Sequence, residues 1–428
     1  MSRLLLLGIL VYGLFLFGLA TLSRGIIAFA IPLILYLGTA LLYGPEEVRL
    51  RIRRSLSAHR VFQNAPVVVR LSVTNEGSWL EEVLVEDLVP PQLALQDGEP
   101  GILASLPPGR TVEFTYTVSG TRGEYGFSGV RAVASDCLGL FRRRRVFPLS
   151  DYLLILPEIT KMRRLAIRPL RTHGFAGPVP ARQAGPGVEF YGVREYQSGD
   201  PLRWINWRAS ARHYRALFTN EFEQERIADV GLILDARQRH DIRSKEGSLL
   251  EHAIQATASL AEIFLRDGNR VGLLIYGWFL DWTFPGYGKV QRERILRALS
   301  RARTGDSIVF ETLDYLPVRF FPARSQIVVI SPLCRDDLAI LIRLKARGYE
   351  VLVVSPDPVS FEAKSLAPQP GVALATRIAR LERTLLLRKL RRAGIRIVDW
   401  RVDKPLDQVI HASLGRGPHM MRALGGEP

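Results

Sequence analysis

The stretch Ala228–His240 reads ADVGLILDARQRH, an apolar run that ends on a carboxylate. Such a run, bounded by polar residues, predicts a buried strand at Val230–Leu234. Similar runs and segments of helical period then alternate along the chain. The further strands are expected at 270–276, 327–330, 351–355 and 395–398, and the helices at 249–265, 290–299, 337–345 and 376–392. Repeated βα units predict an α/β domain over 226–415 with a mainly parallel sheet, then a flexible tail at 416–428.

Immediately before this domain, Gly192–Glu225 reads GVREYQSGDPLRWINWRASARHYRALFTNEFEQE. Asp200 followed by Pro201 predicts a helix start, because a capping carboxylate and a first-turn proline both favour it. Arginines interleaved with tryptophans predict a network that fixes a loop against a sheet, and a binding surface is the alternative. The network is expected to contain Arg194, Asp200, Arg203, Trp207 and Arg212.

Further towards the N-terminus, residues 45–156 show short alternating runs separated by Gly and Pro turns. This pattern predicts an all-β sandwich-like domain. Residues 157–225 form a linker that includes the segment quoted above. Between 141 and 182 there are ten Lys or Arg and two acids, and four of the arginines are consecutive, Arg142, Arg143, Arg144 and Arg145. This cluster predicts contact with anionic lipid, and a solvated, non-functional cluster is the alternative.

The first 44 residues hold two uncharged apolar segments, Leu4–Leu22 and Gly25–Tyr43. Each has the length of a membrane-spanning helix, so a transmembrane α-hairpin is predicted. Arginines flank its outer ends at Arg3 and at Arg49, Arg51, Arg53 and Arg54, against Arg24 alone in the turn. The excess of flanking cations predicts an inner or plasma membrane location with two spans, and with both termini and the soluble domains in the cytoplasm.

A longer motif carries a resemblance to a known family. It runs from Arg194 to Arg212 and includes Tyr196, Gly199, Asp200, Arg203, Ile205, Trp207, Ser210 and Ala211. This motif closely resembles the hallmark of the bacterial family called domain of unknown function fifty-eight. The resemblance implies a multidomain chain with a membrane hairpin, a β-rich domain and an α/β von Willebrand A-like domain. It also implies a MoxR-type AAA+ ATPase as partner, and it supplies no catalytic residue.

Asp235 lies where von Willebrand A domains hold a magnesium ion on an Asp-x-Ser-x-Ser motif. Here both serines are replaced, by Arg237 and Arg239. A hard cation needs several converging oxygen donors, so this site is degenerate and we predict no metal and no cofactor. Arg237 and Arg239, beside Asp235, are candidates for pairing directly with an acidic partner group. Solvated loop arginines are the alternative.

The function that these features favour is a membrane-anchored, non-enzymatic scaffold or adaptor that binds protein partners. The net charge of +16 favours acidic partners, and a basic membrane protein that binds nucleic acid or anionic lipid is one alternative. Nucleic acid is the less favoured ligand, because no motif for it is present. An unrecognised enzyme is the other alternative, although the seven histidines are scattered and form no HExxH motif.

Overall fold

The computed structural model describes residues 3–22, 24–42, 47–135, 142–163, 165, 172–173, 179–213, 216–244, 247–277, 280–305, 313, 316–367 and 369–414. It divides into two compact units, Met1–Leu156 and Pro157–Pro428. The predicted tail at 416–428 lies outside the described residues.

The first unit begins with two helices, α1 (Arg3–Ala20) and α2 (Arg24–Leu42). The prediction that they form a transmembrane hairpin is wrong: within the described parts of the chain, no helix has the length and apolarity needed to cross a bilayer. Helix α1 has 18 residues and α2 has 19, each count including a charged first residue, whereas a span needs about 20 predominantly apolar ones. The predicted membrane location rested on these spans and is withdrawn with them.

Among the described residues, nine strands follow the helices, so the expected β-rich domain is present. They are β1 (Leu50–Leu56), β2 (Arg60–Phe62), β3 (Val67–Asn75), β4 (Leu80–Asp87), β5 (Ala94–Asp97), β6 (Gly101–Leu106), β7 (Thr111–Ser119), β8 (Gly123–Ser135) and β9 (Arg142–Leu156). They form a four-stranded sheet of order β1-β3-β7-β5 and a five-stranded sheet of order β2-β9-β8-β4-β6. Arg142–Arg145 belong to β9, where they are exposed and pair with β8.

Strict alternation along the strands builds the core of this unit. In β3, Val67, Val69, Leu71 and Val73 are buried, while the side chains between them are exposed or half-buried. Because successive side chains of a strand point to opposite faces, such a strand offers one apolar face to the interior. Residues from both sheets meet in one buried cluster, which is the arrangement of a sandwich.

The second unit contains the remaining elements. Its strands are β10 (Thr172–His173), β11 (Val179–Glu195), β12 (Phe218–Asp235), β13 (Arg243–Ser244), β14 (Gly247–Ser248), β15 (Arg270–Tyr276), β16 (Leu280–Gly286), β17 (Gln326–Ile330), β18 (Glu350–Pro356) and β19 (Arg396–Trp400). Its helices are α3 (Trp207–Ser210), α4 (Leu249–Arg266), α5 (Gly288–Arg301), α6 (Asp337–Ala346), α7 (Pro358–Ala363), α8 (Pro370–Arg392) and α9 (Leu406–Leu414).

The main sheet of this unit is mixed, with the order β16-β15-β12-β17-β18-β19. The expectation of a mainly parallel sheet has to be corrected: β15, β12, β17, β18 and β19 pair in parallel, but β16 is antiparallel to β15, and β10 and β11 are antiparallel to β12. Successive residues Leu232–Leu234 are fully buried, so both faces of the central strand are covered. Strands β12 and β17 end side by side at Asp235 and Ile330, and the candidate site lies there.

Candidate functional site

The site is built on the loop that follows β12, where a carboxylate and a guanidinium face each other two residues apart. Arg237 donates from Nε to Oδ1 of Asp235 at 2.8 Å and from Nη2 to Oδ2 at 2.6 Å. Both side chains are buried, and only 2% of the Arg237 side chain is exposed. This is a bidentate ion pair, the geometry in which guanidinium and carboxylate bind most strongly.

A second carboxylate binds the same guanidinium from the other side. Asp337, the first residue of α6, accepts from Nη1 and Nη2 of Arg237, each at 3.0 Å. Its side chain is as buried as that of Asp235. Arg237 therefore lies between two carboxylates that are about a hundred residues apart in sequence, and it joins the end of β12 to the start of α6.

Three further side chains complete the cluster. Ser331, which follows β17, donates from Oγ to Oδ2 of Asp235 at 2.6 Å. Nδ1 of His240 lies 2.8 Å from the same oxygen, although its direction is off the line of a hydrogen bond. On the other side of the imidazole, Nε2 lies 3.0 Å from Sγ of Cys334. The order from the surface inwards is therefore thiol, imidazole, carboxylate.

Charge pairing controls the protonation of this cluster. Burial favours the neutral acid, but His240 and Arg237 outweigh that effect and hold the pKa of Asp235 well below its usual range. Burial also opposes the charge of Arg237, yet Asp235 and Asp337 raise its pKa. For His240, burial lowers the pKa, whereas Asp235 and then Cys334 raise it, and the net value is about 9. At neutral pH the imidazole is a second cation beside Arg237.

A divalent metal does not fit these residues, although one group at the site has suitable atoms. Ligand atoms of His240, Cys334 and Asp337 lie within 4.8 Å of one another. However, Oδ1 of Asp337 already accepts from Arg237 and Arg239, and Oδ2 accepts from Arg237 and from the Cys334 backbone N–H. A carboxylate offers about four acceptor positions, so a metal would have to displace charge-assisted bonds and lie beside a guanidinium. The cation at this position belongs to the protein.

Arg239 occupies the outer side of the cluster. Its guanidinium is 27% exposed and lies 3.4 Å from carboxylate oxygens of Asp336 and Asp337. These contacts are long, and Asp336 is largely exposed, so they add little rigidity. Of the three candidate partner-binding residues, Asp235 and Arg237 are buried and bonded to each other, and Arg239 is the one at the surface.

The segment around Arg194 forms part of the predicted network. Arg194 binds Oδ1 of Asp200 at 2.7 Å and Oε1 of Glu221 at 2.8 Å, and these contacts lower the pKa of Asp200 and raise that of Arg194. The other oxygen of Asp200 accepts from the backbone N–H of Gln197, and the hydroxyl of Tyr196 approaches the Asp200 carbonyl at 3.4 Å. Gly199 takes a positive φ of 109°, so this is a tight turn that the arginine closes.

The helix expected to start at Asp200 does not form. The chain makes a 3-10 turn at Leu202–Trp204 and then the four-residue helix α3, whose cap is Asn206, accepting from the backbone N–H of Ala209. Trp207 is 68% exposed, and the structure shows Arg203 near Trp204 rather than in the network. Ser210 accepts from the Phe218 backbone, while Arg212 is exposed.

Sequence reasoning located Asp235, Arg237 and Arg239, but it did not place four further side chains in the cluster: His240, Ser331, Cys334 and Asp337. The loop after β17 brings the last three into place, and Leu333 takes a φ of +67° there. A non-glycine residue rarely adopts that conformation, so the path of this loop is not readable from propensity. A usable signal was present, because Asp336 and Asp337 follow a strand that ends beside β12.

Residues 192–363 match the model of a family described as "Protein of unknown function DUF58". This region of the chain resembles the DUF58 family. The resemblance inferred from the Arg194–Arg212 motif is thus confirmed, and the matched region covers the β12 edge and the Arg237 cluster.

A curated relative and several solved structures are also similar to parts of the chain. "Uncharacterized protein YeaD" of Bacillus subtilis (strain 168) is 30% identical over 156 residues, which is 36% of this chain and 37% of that protein. The match therefore spans little more than a third of the relative's length.

Among solved structures, the FixG-related protein from Vibrio parahaemolyticus is 8% identical, with a TM-score of 0.18 over 25% of this chain and 95% of that one. The CARDB domain of a Pyrococcus furiosus protein, in complex with di-metal ions, is 15% identical, with a TM-score of 0.17 over 26% and 96%.

Proposed function

We propose that this chain is a non-enzymatic protein-interaction module whose second unit binds a partner at the carboxyl edge of the β12–β17 pair. The observation that carries the proposal is the guanidinium of Arg237, which binds Asp235 and Asp337 at once. Parallel sheets of this kind bind their ligands at that edge. Because the protein's own cation satisfies the carboxylates there, the edge needs no ion to keep its shape.

Charged groups lie at the surface of this edge. Arg239 and Asp336 are exposed above the buried cluster, and Arg335 is exposed beside them. Flanking charges of this kind select partners and speed their association more than they add affinity. Resemblance to the family suggests a MoxR-type AAA+ ATPase as the partner, and the net charge of +16 favours an acidic contact surface on it.

A pull-down with the tagged full chain as bait, read by mass spectrometry, tests this function. We expect an AAA+ ATPase to be recovered by the unchanged chain and to fall at least about tenfold with Arg239→Ala, as loss of an anchoring charge predicts. Arg297→Ala on α5 is the matched control, since Arg297 is also a partly exposed arginine with a long 3.4 Å ion pair. Absence of any ATPase, or equal recovery with both variants, would refute the proposal.

One observation favours a thiol enzyme as a second candidate. Cys334, His240 and Asp235 follow each other at 3.0 and 2.8 Å, in the order of a nucleophile, a base and an orienting carboxylate. Against it, the imidazole of His240 is already protonated at neutral pH, since its pKa is about 9. In addition, a cavity of about 250 Å³ in this unit is lined by other residues, including Thr160, His252 and Trp400. Selective labelling of Cys334 by iodoacetamide, together with unchanged ATPase recovery by Cys334→Ser, would separate thiol chemistry from partner binding.

A further inference from the structure

Helix α8 carries a row of exposed aliphatic side chains. Leu374, Ile378, Leu381 and Leu385 are between 51% and 61% exposed. Their spacing of four, three and four residues matches the a and d positions of a heptad repeat. At 3.6 residues per turn they fall within an arc of about 60° on the helix surface.

The opposite side of the same helix attaches it to the protein. Leu387 and Leu390 belong to the core that α8 shares with the sheet. Arg383 is buried too, and it donates to the carbonyl of Pro332 at 2.9 Å, to Oγ of Ser355 at 3.0 Å and to Oδ1 of Asp399 at 2.7 Å. Residue 383 is roughly 180° around the helix from the aliphatic row. The anchoring contacts therefore turn the row directly outwards.

Charged side chains border the row with one dominant sign. Cations lie beside it or continue it towards the helix end, and all of them are exposed: Arg377, Arg388, Lys389, Arg391 and Arg392. The acid on the helix, Glu382, accepts from Arg335 at 2.6 Å, so its charge is already paired. Arg335 belongs to the loop after β17, which makes the row continuous with the edge proposed to bind a partner.

We infer that the aliphatic row of α8 is a docking site for an acidic amphipathic helix of a partner protein. Such a helix places its own a and d residues against the row and its carboxylates against the bordering cations, as in heterotypic coiled coils. This inference extends the proposed interaction function and rests on it, and it adds the chemistry of the partner's contacting segment.

Charge and shape disfavour two other occupants. A second copy of α8 would bring two rows of cations together, which opposes self-association. A helix that lies on a lipid surface has a broad apolar face with Trp or Phe, whereas this row is narrow and α8 contains no aromatic residue.

The test measures direct binding to the purified full chain. The probe is a fluorescent three-heptad peptide with Leu at a and d and Glu at e and g, read by anisotropy. We expect the double variant Ile378→Gln, Leu381→Gln to bind it at least about tenfold more weakly, in line with loss of two central contact residues. Val290→Gln is the matched control, since Val290 is a 65% exposed aliphatic residue on α5, and it should bind as the unchanged chain does.

Further experiments distinguish an acidic helix from the other ligands that could bind the row. A peptide of the same charge with Gln at a and d should fail to bind. If it bound equally well, charge attraction alone would explain the binding, and the inference would be overturned. Dimerisation that Ile378→Gln abolishes, or binding to phosphatidylserine vesicles without peptide binding, would also overturn it. Arg239→Ala should leave peptide binding unchanged, so loss of the ATPase interaction and loss of the helix site are distinguishable results.

Discussion

Each unit of the protein buries an arginine between two aspartates, and the two clusters differ in how their charges balance. In the first unit, Met1–Leu156, called the β unit below, the arginine is Arg54, and 0% of its side chain is exposed. In the second unit, Pro157–Pro428, called the α/β unit below, it is Arg237, and 2% of its side chain is exposed. Both arginines bind one of their carboxylates in a bidentate pair. A buried ion pair is strongly destabilising once one of its charges loses its partner. The number of cations in each cluster therefore decides how much stability is lost when the central arginine is replaced.

The Arg54 cluster has one cation for two acids in the part of the chain that the structure describes. Its guanidinium binds Asp87 at 2.5 and 3.0 Å and Asp151 at 3.0 Å. Tyr116 adds a neutral donor, with its hydroxyl 2.6 Å from Oδ2 of Asp87, and the guanidinium lies 4.9 Å from the Phe127 ring centroid. This cluster joins strands of both sheets and depends on a single arginine.

In the Arg237 cluster, the carboxylates have other cations besides the central arginine. His240 is a second buried cation facing Asp235, and Arg239 reaches Asp337 from the surface. The cluster at the sheet edge therefore carries redundant positive charge, whereas the cluster inside the sandwich depends on one arginine. Four measurements test this difference between the two clusters.

The largest effect is expected for Arg54→Met. It leaves the buried Asp87 with only a neutral partner, and we expect a loss of about 4 kcal/mol in the unfolding free energy of the β unit. Chemical denaturation with hydrogen-exchange mass spectrometry on peptides of β1–β9 measures it. Arg51→Met is the control, since Arg51 pairs with Glu76 at the surface and should cost less than about 1 kcal/mol. Equal losses for both variants would refute the role of Arg54.

Arg237→Met should cost less, about 3 kcal/mol, because His240 and Arg239 still face the two carboxylates. The same experiment on peptides of β12, β17 and α6 measures the change. Adding Asp337→Asn to this variant removes a charge that keeps, of its two arginine contacts, only the long one with Arg239, and it should restore part of the loss. A cost larger than that of Arg54→Met would break the contrast drawn between the clusters.

From the raised pKa of His240 we predict that the unfolding free energy of the α/β unit, but not that of the β unit, depends on pH. The folded pKa of His240, about 9, lies above the unfolded value of about 6.5, so protonated His240 stabilises the fold. That contribution is complete below pH of about 6.5 and disappears as the pH rises through about 9, with a size on the order of 2–3 kcal/mol. Denaturation across this range measures it.

His240→Gln is the control for this titration, because it keeps a polar side chain but removes the proton equilibrium beside Asp235, Arg237 and Cys334. The variant should lose the decline in stability between these pH values. A decline of the same size in the variant would assign it to other groups.

The smallest effect is expected for Tyr116→Phe, which removes the hydroxyl bonded to Asp87. Burial, together with this carboxylate, raises the pKa of Tyr116, so the hydroxyl remains a donor at working pH. Loss of a donor to a charged acceptor should cost about 1.5–2 kcal/mol. Tyr125→Phe, whose hydroxyl bonds the neutral carbonyl of Thr121, should cost about 1 kcal/mol. A larger loss for Tyr125→Phe than for Tyr116→Phe would mean that the Tyr116 hydroxyl does not stabilise the buried Asp87 carboxylate.

Much of the α/β unit was predictable because its elements are defined by local periodicity. The strand predicted at 270–276 has those bounds as β15, and α4, α5, α6, β17, β18 and β19 lie where the sequence placed them, within two residues at each end. The antiparallel strand β16 and the long β11–β12 pairing were not predicted, because the partner of an edge strand is not encoded by its own alternation.

Helix α8 shows the limit of amphipathic reasoning. Its sequence contains two aliphatic rows, one with Leu387 and Leu390 and one with Ile378, Leu381 and Leu385. The spacing of aliphatic residues along the helix gives the angle between the two rows. It does not show which of the rows packs against the sheet. The contacts of Arg383 settle it, and they involve residues 16 to 51 positions away.

Local sequence was enough to predict the order of most strands and helices in the α/β unit, the excess of basic charge and the presence of Asp235, Arg237 and Arg239 after the central strand. These are properties of neighbouring residues. Two features follow from the three-dimensional fold instead. The side chain of Arg54, predicted as a charge flanking a membrane span, is buried in a sandwich core, and Asp337 meets Arg237. Both outcomes depend on pairs about 30 to 100 residues apart, and desolvation makes such pairs costly unless the whole fold brings them together.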